Sequence, residues 1–311
     1  MQSVNELQRR IAFDSIERYS GSPVEDFQPR LLLTNFPSYV ELFAQQHQAP
    51  FTSGSAFSAS HCPEKQISIL CFGMGSPGAA LVIDLVAHLP IQCALLLGLC
   101  GGLRRRYQVG DYLIPIASIR GEGTSNFYFP SEVPALANFH MTQACSRVLA
   151  KEACCFHFGI THTTNIRFWE FDEAFKENLK ATRAQAIEME CATLFTASYK
   201  RNLTLGALLL ISDLPLDEHG VKTKESSRRV LDLYSADHLR KGVAVMHEAE
   251  SLIQAHEERK RHPRPLTMFH QTERERTDHE RSGQWHVEDL GRLSDAKPPP
   301  PQPFPGDGLG D

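Results

Sequence analysis

Two carboxylates enter an otherwise small and apolar run at positions 186 to 195, AIEMECATLF, as Glu188 and Glu190 with Met189 between them. Ionised carboxylates are seldom buried without a partner, so at least one of the two is expected to have a specific task. A spacing of two points them to opposite sides of a strand, or about 200° apart on a helix, so they do not easily share one site. The plain structural alternative is a strand end meeting a helix start, with the acids serving the helix dipole and solvent. A third acid, Asp213, closes the run GALLLISD directly after Ser212. The glycines of GMGSPGAA lead into a helical pattern and can offer backbone N–H groups to an anion, a signal that is weak by itself because such turns often need glycine only for their shape.

The elements that must position these groups are legible as short leucine-rich and β-branched runs, each ending in Gly, Asn, Ser or Asp. They are RLLLTNF (30–36), QISILCFGMG (66–75), CALLLGLCGG (93–102), YLIPIASIRG (112–121), FGITHTTN (158–165) and GALLLISD (206–213). Continuous apolar strands are typical of a sheet covered on both faces. Helical patterns alternate with them. SPGAALVIDLVAHL opens with Ser76 as a candidate cap and Pro77 at the first helical position, FDEAFKENLKATR is amphipathic, and residues 226 to 256 make a long final helical region. The alternation predicts a three-layer α/β/α sandwich. Ligands of such sheets bind beyond strand ends, which selects Asn35, Gly73 to Ser76, Gly98 to Gly102, Arg120 to Ser125, Asn165 to Trp169, Glu188 to Glu190, and Ser212 with Asp213.

Composition sets the limits. The 311 residues are 41% hydrophobic and 22% charged, the profile of a soluble globular chain with one sizeable core. No apolar run approaches the roughly 20 residues of a membrane span, and the polar amphipathic start MQSVNELQRRIAFDSIERY is not a signal peptide, so a cytoplasmic address and no membrane partner are expected. A net charge of −5 argues against a nucleic-acid partner, and RRR at 104 to 106 reads as a solvated turn. Eight scattered cysteines without a CxxC read as buried thiols of a reducing compartment, and the 14 histidines fall into no metal-ligand spacing; neither a metal nor a cofactor is expected. The catalytic domain is placed at 1–257. From 258 the text becomes charged and Pro-rich, ending KPPPPQPFPGDGLGD, which predicts a disordered tail.

The order of a GMG turn, a GxCGG strand end followed by GD, an EME element and a late SD resembles the purine nucleoside phosphorylase superfamily. Within it the stretches RYSGSPVEDFQPRLLLTNFPSYVELFA, LGLCGGLRRRYQVGDYLIPIASIRGEGTS, THTTNIRFWE, AIEMECATLF and LLLISDLPL are similar to the AMP nucleosidases, over about residues 19 to 250. The longer members carry an N-terminal regulatory domain, and the chain reads as a short form without it.

The resemblance implies a nucleoside phosphorylase-like fold with a mixed central sheet, and cleavage of the N-glycosidic bond of AMP by water. Departure of adenine gives the ribosyl centre oxocarbenium character and charges the base, so an acid is needed at the base and polar contacts at the sugar. By their places in the motifs, Asp213 is the acid to purine N7, Glu190 accepts from the ribose hydroxyls and Met189 lies against the sugar. Glu188 becomes a structural group. Arg167 and Trp169 fall where the superfamily contacts the base, with Arg167 also able to hold phosphate. Arg120, Thr124 and Ser125 are the implied 5′-phosphate ligands, and Asn35, Gly75, Ser76 and Gly98 complete the substrate-binding set. A homo-oligomer, hexameric or dimer-based, is implied as well.

Two departures favour hydrolysis over phosphorolysis. Phosphorolytic members hold the attacking phosphate with an Arg in a GDPxR turn and a Ser or Thr in GxCG. Here the corresponding places read TNFPSY and GLCG, with apolar Leu99 where AMP nucleosidases usually carry His or another polar group. A nucleoside phosphorylase, another purine nucleosidase and a non-catalytic nucleotide-binding protein remain the competing readings.

Overall fold

In the computed structural model the residues described are 2–218 and 220–261; apart from its first residues, the tail expected from 258 lies outside them. The chain runs through α1 (Gln2–Ser20), β1 (Arg30–Thr34), α2 (Pro37–His47), β2 (Phe51–Ser53), β3 (Ser58–Cys62), β4 (Ile67–Cys71), α3 (Ser76–Val86), β5 (Cys93–Gly102), β6 (Tyr112–Gly121) and β7 (Ala135–Leu136). It continues with α4 (Phe139–Lys151), β8 (Phe156–Thr164), α5 (Glu173–Ala181), β9 (Ala186–Glu188), α6 (Cys191–Lys200), β10 (Thr204–Asp213) and α7 (Lys224–Arg261).

The strands form one mixed sheet in the order β10-β6-β8-β9-β5-β1-β4-β3-β2, and β10 also pairs with β5, so five strands close on themselves. β5 makes the junction. One edge lies parallel to β10; the other follows β1 from Cys93 to Leu97 and then takes up β9 at Gly101 and Gly102. Alternation along the strands divides the core between the two faces. Leu31, Leu33, Leu96 and Leu209 pack with α1, α3 and α6 on one side. Leu32, Leu95, Leu97 and Leu210 pack with α2, α4 and α7 on the other. These are the three layers expected from the sequence, with a mixed sheet as the resemblance implied. Among the described residues no helix is long and apolar enough to cross a membrane.

The opening of α3 differs from the expectation. Gly75, at φ 92°, is the residue before the helix, and Pro77 lies in its first turn. Ser76 does not cap; its hydroxyl donates to Met189 O at 2.8 Å. A left-handed φ leaves the turn to glycine, so the serine is free to join α3 to the segment before α6.

Candidate active site

The two acids of the opening run sit at a strand-to-helix junction, Glu188 ending β9 and Glu190 immediately before α6. Both are buried, at 6% and 4% exposure, and both border the same cleft. Their environments differ. Glu188 Oε2 accepts the backbone N–H groups of Glu190 at 2.7 Å and Cys191 at 2.6 Å, while Thr163 donates to Oε1. The side chain therefore caps α6, taking donors that the helix itself leaves unpaired. Glu190 turns across the sheet, where Gly75 N–H donates to its Oε1 at 2.8 Å. Burial, followed by the charge of Glu188, pushes its carboxyl up to about 7, against the N–H groups of Gly75 and Met189 and the Asn35 side chain.

A raised carboxyl pKa carries a sign. Between pH 4.5 and about 7 the folded protein holds a proton that the unfolded chain has released, so stability is highest below this window and falls as pH rises through it. The loss attributable to Glu190 should reach about 3 kcal/mol. Melting curves from pH 4.5 to 8 are expected to show the wild type losing stability relative to Glu190→Gln; parallel curves would contradict the assignment.

At the far side of the cleft β10 ends in Ser212 and Asp213. Ser212 Oγ stands 2.5 Å from Asp213 Oδ1, and Lys222 Nζ donates to the same hydroxyl at 3.1 Å. Burial holds the Asp213 carboxyl above its usual range, opposed by the Ser212 hydroxyl and the Lys222 charge. Burial also lowers the Lys222 ammonium, with Asp213 pulling it back up. A lysine–hydroxyl–carboxyl chain thus fixes one oxygen of Asp213 and leaves the other for a ligand.

The cleft brings together Asn35, Met189, Glu190, Arg167, Trp169 and Asp213. Gly75 and Ser76 support it from behind through Glu190 and Met189, and Gly98 is buried inside β5. Leu99 does border the cleft, within the continuous strand β5. Trp169 is 4% exposed and packs with Phe175 at 5.8 Å, so it is a wall, with little free face for stacking. Arg167 pairs with buried Glu170 at 2.9 Å.

Arg120, Thr124 and Ser125 are not among the residues lining the cleft. Arg120 instead gathers the loop after β6: Nε donates to Ser125 Oγ at 2.9 Å, and its Nη groups reach Asn126 Oδ1 and the carbonyls of Phe129, Pro130 and Val133. Thr124 opens a short 3-10 turn, and Ser125 is fully buried with its N–H on Glu122. Charge-assisted hydrogen bonds are each worth about 1.5 to 3 kcal/mol, though not additively. Arg120→Ala is expected to lower stability by about 2 to 4 kcal/mol in chemical denaturation, with the KM of the folded fraction little changed. A higher KM at unchanged stability would restore Arg120 as a substrate ligand.

Lys222 and Glu170 border the cleft without having been singled out in the sequence. Glu170 adjoins Trp169 and was within reach; Lys222 lies in the loop after β10, where no periodicity or spacing marks it.

Comparison with known proteins adds to this geometry. The family model described as Phosphorylase superfamily matches residues 29–240. An AMP nucleosidase of Escherichia coli K12 is 28% identical over 313 residues, covering 85% of this chain, which spans only 63% of that protein's length. The crystal structure of AMP nucleosidase from Bacteroides thetaiotaomicron is 36% identical with a TM-score of 0.68, covering 77% of this chain and 96% of the other. Purine nucleoside phosphorylase from Toxoplasma gondii in complex with immucillin-H, 18% identical, shares the fold with a TM-score of 0.64 over 75% of this chain and 95% of its own.

Proposed function

Because this chain belongs to the phosphorylase superfamily, we propose that it is an AMP nucleosidase, hydrolysing AMP to adenine and ribose 5-phosphate. The observation that carries the reading is the pair of buried carboxyl groups, Asp213 held high in pKa and Glu190 anchored by Gly75, on one cleft. Asp213, its Oδ1 occupied by Ser212, gives a proton to purine N7 as the bond from ribose C1′ to N9 breaks and its electron pair passes to the base. Glu190, ionised on binding, accepts from the ribose hydroxyls while positive charge grows on the sugar. Water adds to C1′ and surrenders a proton to the vacated carboxylate or to solvent. Met189 borders the sugar, and Arg167 faces the base or the phosphate. Leu99 on the cleft wall offers nothing to an attacking phosphate dianion, which supports hydrolysis over phosphorolysis.

The test is product analysis with AMP, adenosine, GMP and IMP, with and without inorganic phosphate. Adenine and ribose 5-phosphate from AMP without added phosphate are expected; dependence on phosphate with ribose 1-phosphate as product would replace the reading by a phosphorylase. Within the same proposal the address is cytosolic, in keeping with eight free cysteines. A homo-oligomer belongs to it as well. Ile116, Leu136, Phe158 and Ile160 are exposed apolar side chains on neighbouring β6, β7 and β8, a surface that a second copy would cover. Sedimentation of the protein as a monomer at micromolar concentration would remove that part.

A further inference from the structure

β6 and β8 are parallel and begin side by side, with Tyr112 opposite Phe156 and Leu113 opposite His157. Asp111 precedes β6 and Cys155 precedes β8, so a carboxylate, a thiol and an imidazole meet where the two strands start. Their ligand atoms all lie within 4.8 Å of one another. His157 Nε2 is 3.0 Å from Asp111 Oδ2 and 3.9 Å from Cys155 Sγ. Both approaches use the same ring nitrogen. A nucleophilic relay needs the two nitrogens of the ring in different roles, one toward the thiol and the other toward the carboxylate. Here one nitrogen faces both, the arrangement of three donors converging on a common centre.

We propose that Asp111, Cys155 and His157 form a binding site for a thiophilic divalent cation of the zinc class, with water as its fourth ligand. Zinc bonds of about 2.0 to 2.3 Å place the corners of a tetrahedron about 3.3 to 3.8 Å apart, and the observed separations bracket that range. Two of the ligands are already held. The N–H of Gln108 donates to Asp111 Oδ2 at 3.0 Å, and the His157 ring is stacked on Tyr107 with centroids 4.3 Å apart. Asp111 is buried and Cys155 exposed, so an ion enters from the sulfur side and keeps an open position toward solvent. On binding, the thiol releases its proton to solvent and its sulfur replaces a water on the cation; His157 binds through the Nε2 lone pair with its proton on Nδ1. No oxidation or reduction is involved.

The site has a structural consequence. Gly110 N–H donates to Ile211 O and Ile211 N–H to Asp111 O, each at 2.9 Å. The cation would therefore tie the starts of β6 and β8 to the end of β10, immediately before Ser212 and Asp213. The three ligands follow no metal-ligand spacing in the sequence because they come from the starts of two strands brought together only by the sheet.

Cobalt(II) is the probe, added to the full-length protein and followed by absorption, with zinc as competitor. One equivalent should produce a thiolate-to-cobalt charge-transfer band with the visible bands of tetrahedral cobalt, and zinc should remove them. Histidines beyond residue 261 carry no sulfur and cannot give that band. Cys155→Ser and His157→Gln should weaken binding by at least about 100-fold, and Cys154→Ser should leave it unchanged. Zinc should raise the melting midpoint of the wild type and not that of Cys155→Ser. No sulfur band in the wild type under excess cobalt, or a band that survives Cys155→Ser, overturns the site.

Discussion

Asp213→Asn is expected to lower kcat for AMP by about 10² to 10⁴-fold, the usual contribution of a positioned general acid, while folding and AMP binding are largely preserved. An aspartic acid normally ionises near pH 3.9, so serving as an acid near neutrality requires that its proton be retained. Burial does this here, raising the Asp213 carboxyl against the Ser212 hydroxyl and the Lys222 ammonium. Asparagine keeps the size of the side chain and can still accept from Ser212. It cannot release a proton to N7. AMP turnover across pH, thermal unfolding and equilibrium binding of AMP together test the assignment. Wild-type turnover in the variant would end the acid role, and failure to fold would return Asp213 to a structural one.

Glu190→Ala should come close to abolishing turnover, whereas Glu188→Asp should be mild. Spacing alone would set the two acids on opposite sides; both border one cleft because β9 ends at Glu188 and α6 starts after Glu190, and what distinguishes them is their hydrogen bonds. Glu188 is engaged on both oxygens within its own protein, by Thr163 on one side and by the N–H groups of Glu190 and Cys191 on the other. Glu190 takes the N–H of Gly75 on Oε1, with the N–H of Met189 and the Asn35 side chain also favouring its charged form, and it caps no helix. Its remaining acceptor capacity faces the cleft, where, on the proposed reaction, hydroxyls of a sugar acquiring positive charge would bind more strongly than those of the ground state. Steady-state kinetics of the two variants decide the matter. Equal losses in kcat/KM would show that the distinction between them is wrong.

The fold was legible from the sequence wherever a strand or helix carries its own pattern. The runs 30–36, 93–102, 112–121 and 206–213 hold the strands β1, β5, β6 and β10, and they were visible because burial on both sheet faces demands unbroken apolar text. The short strands β2, β3 and β7 were not anticipated: β2 and β7 have three and two residues, and the five of β3 read SASHC, too little for a period of two to emerge, while β9 was foreseen only as the strand-end alternative for the two acids. The cleft was traced by the strand-end rule through Asn35, Arg167, Met189, Glu190 and Asp213. Arg120 was misplaced by the same rule, since a guanidinium at a strand end can as readily collect the carbonyls of its own loop as a ligand. Lys222 was missed for the opposite reason: its meaning comes from contact with Ser212 across a loop, which no local pattern encodes.

The division of β5 between two neighbours bears on how the cleft could change over evolutionary time. From Leu97 to Gly101 the edge that leaves β1 has not yet met β9, so the peptide groups around Gly98, Leu99 and Cys100 lack a strand on that side. Buried amides do not stay unpaired, and groups facing a cleft are satisfied by water or by whatever occupies it. Leu99 and Cys100 border the cleft, and although Cys100 O accepts from Ser212 Oγ at 3.2 Å, the neighbouring peptide groups would give the cleft a main-chain surface. Such a surface is invisible to alanine scanning and indifferent to most substitutions. Substitution at position 99 would change a side chain on the cleft wall while the peptide dipoles beneath stay where the sheet puts them. A lineage could in this way change its chemistry without rebuilding its pocket.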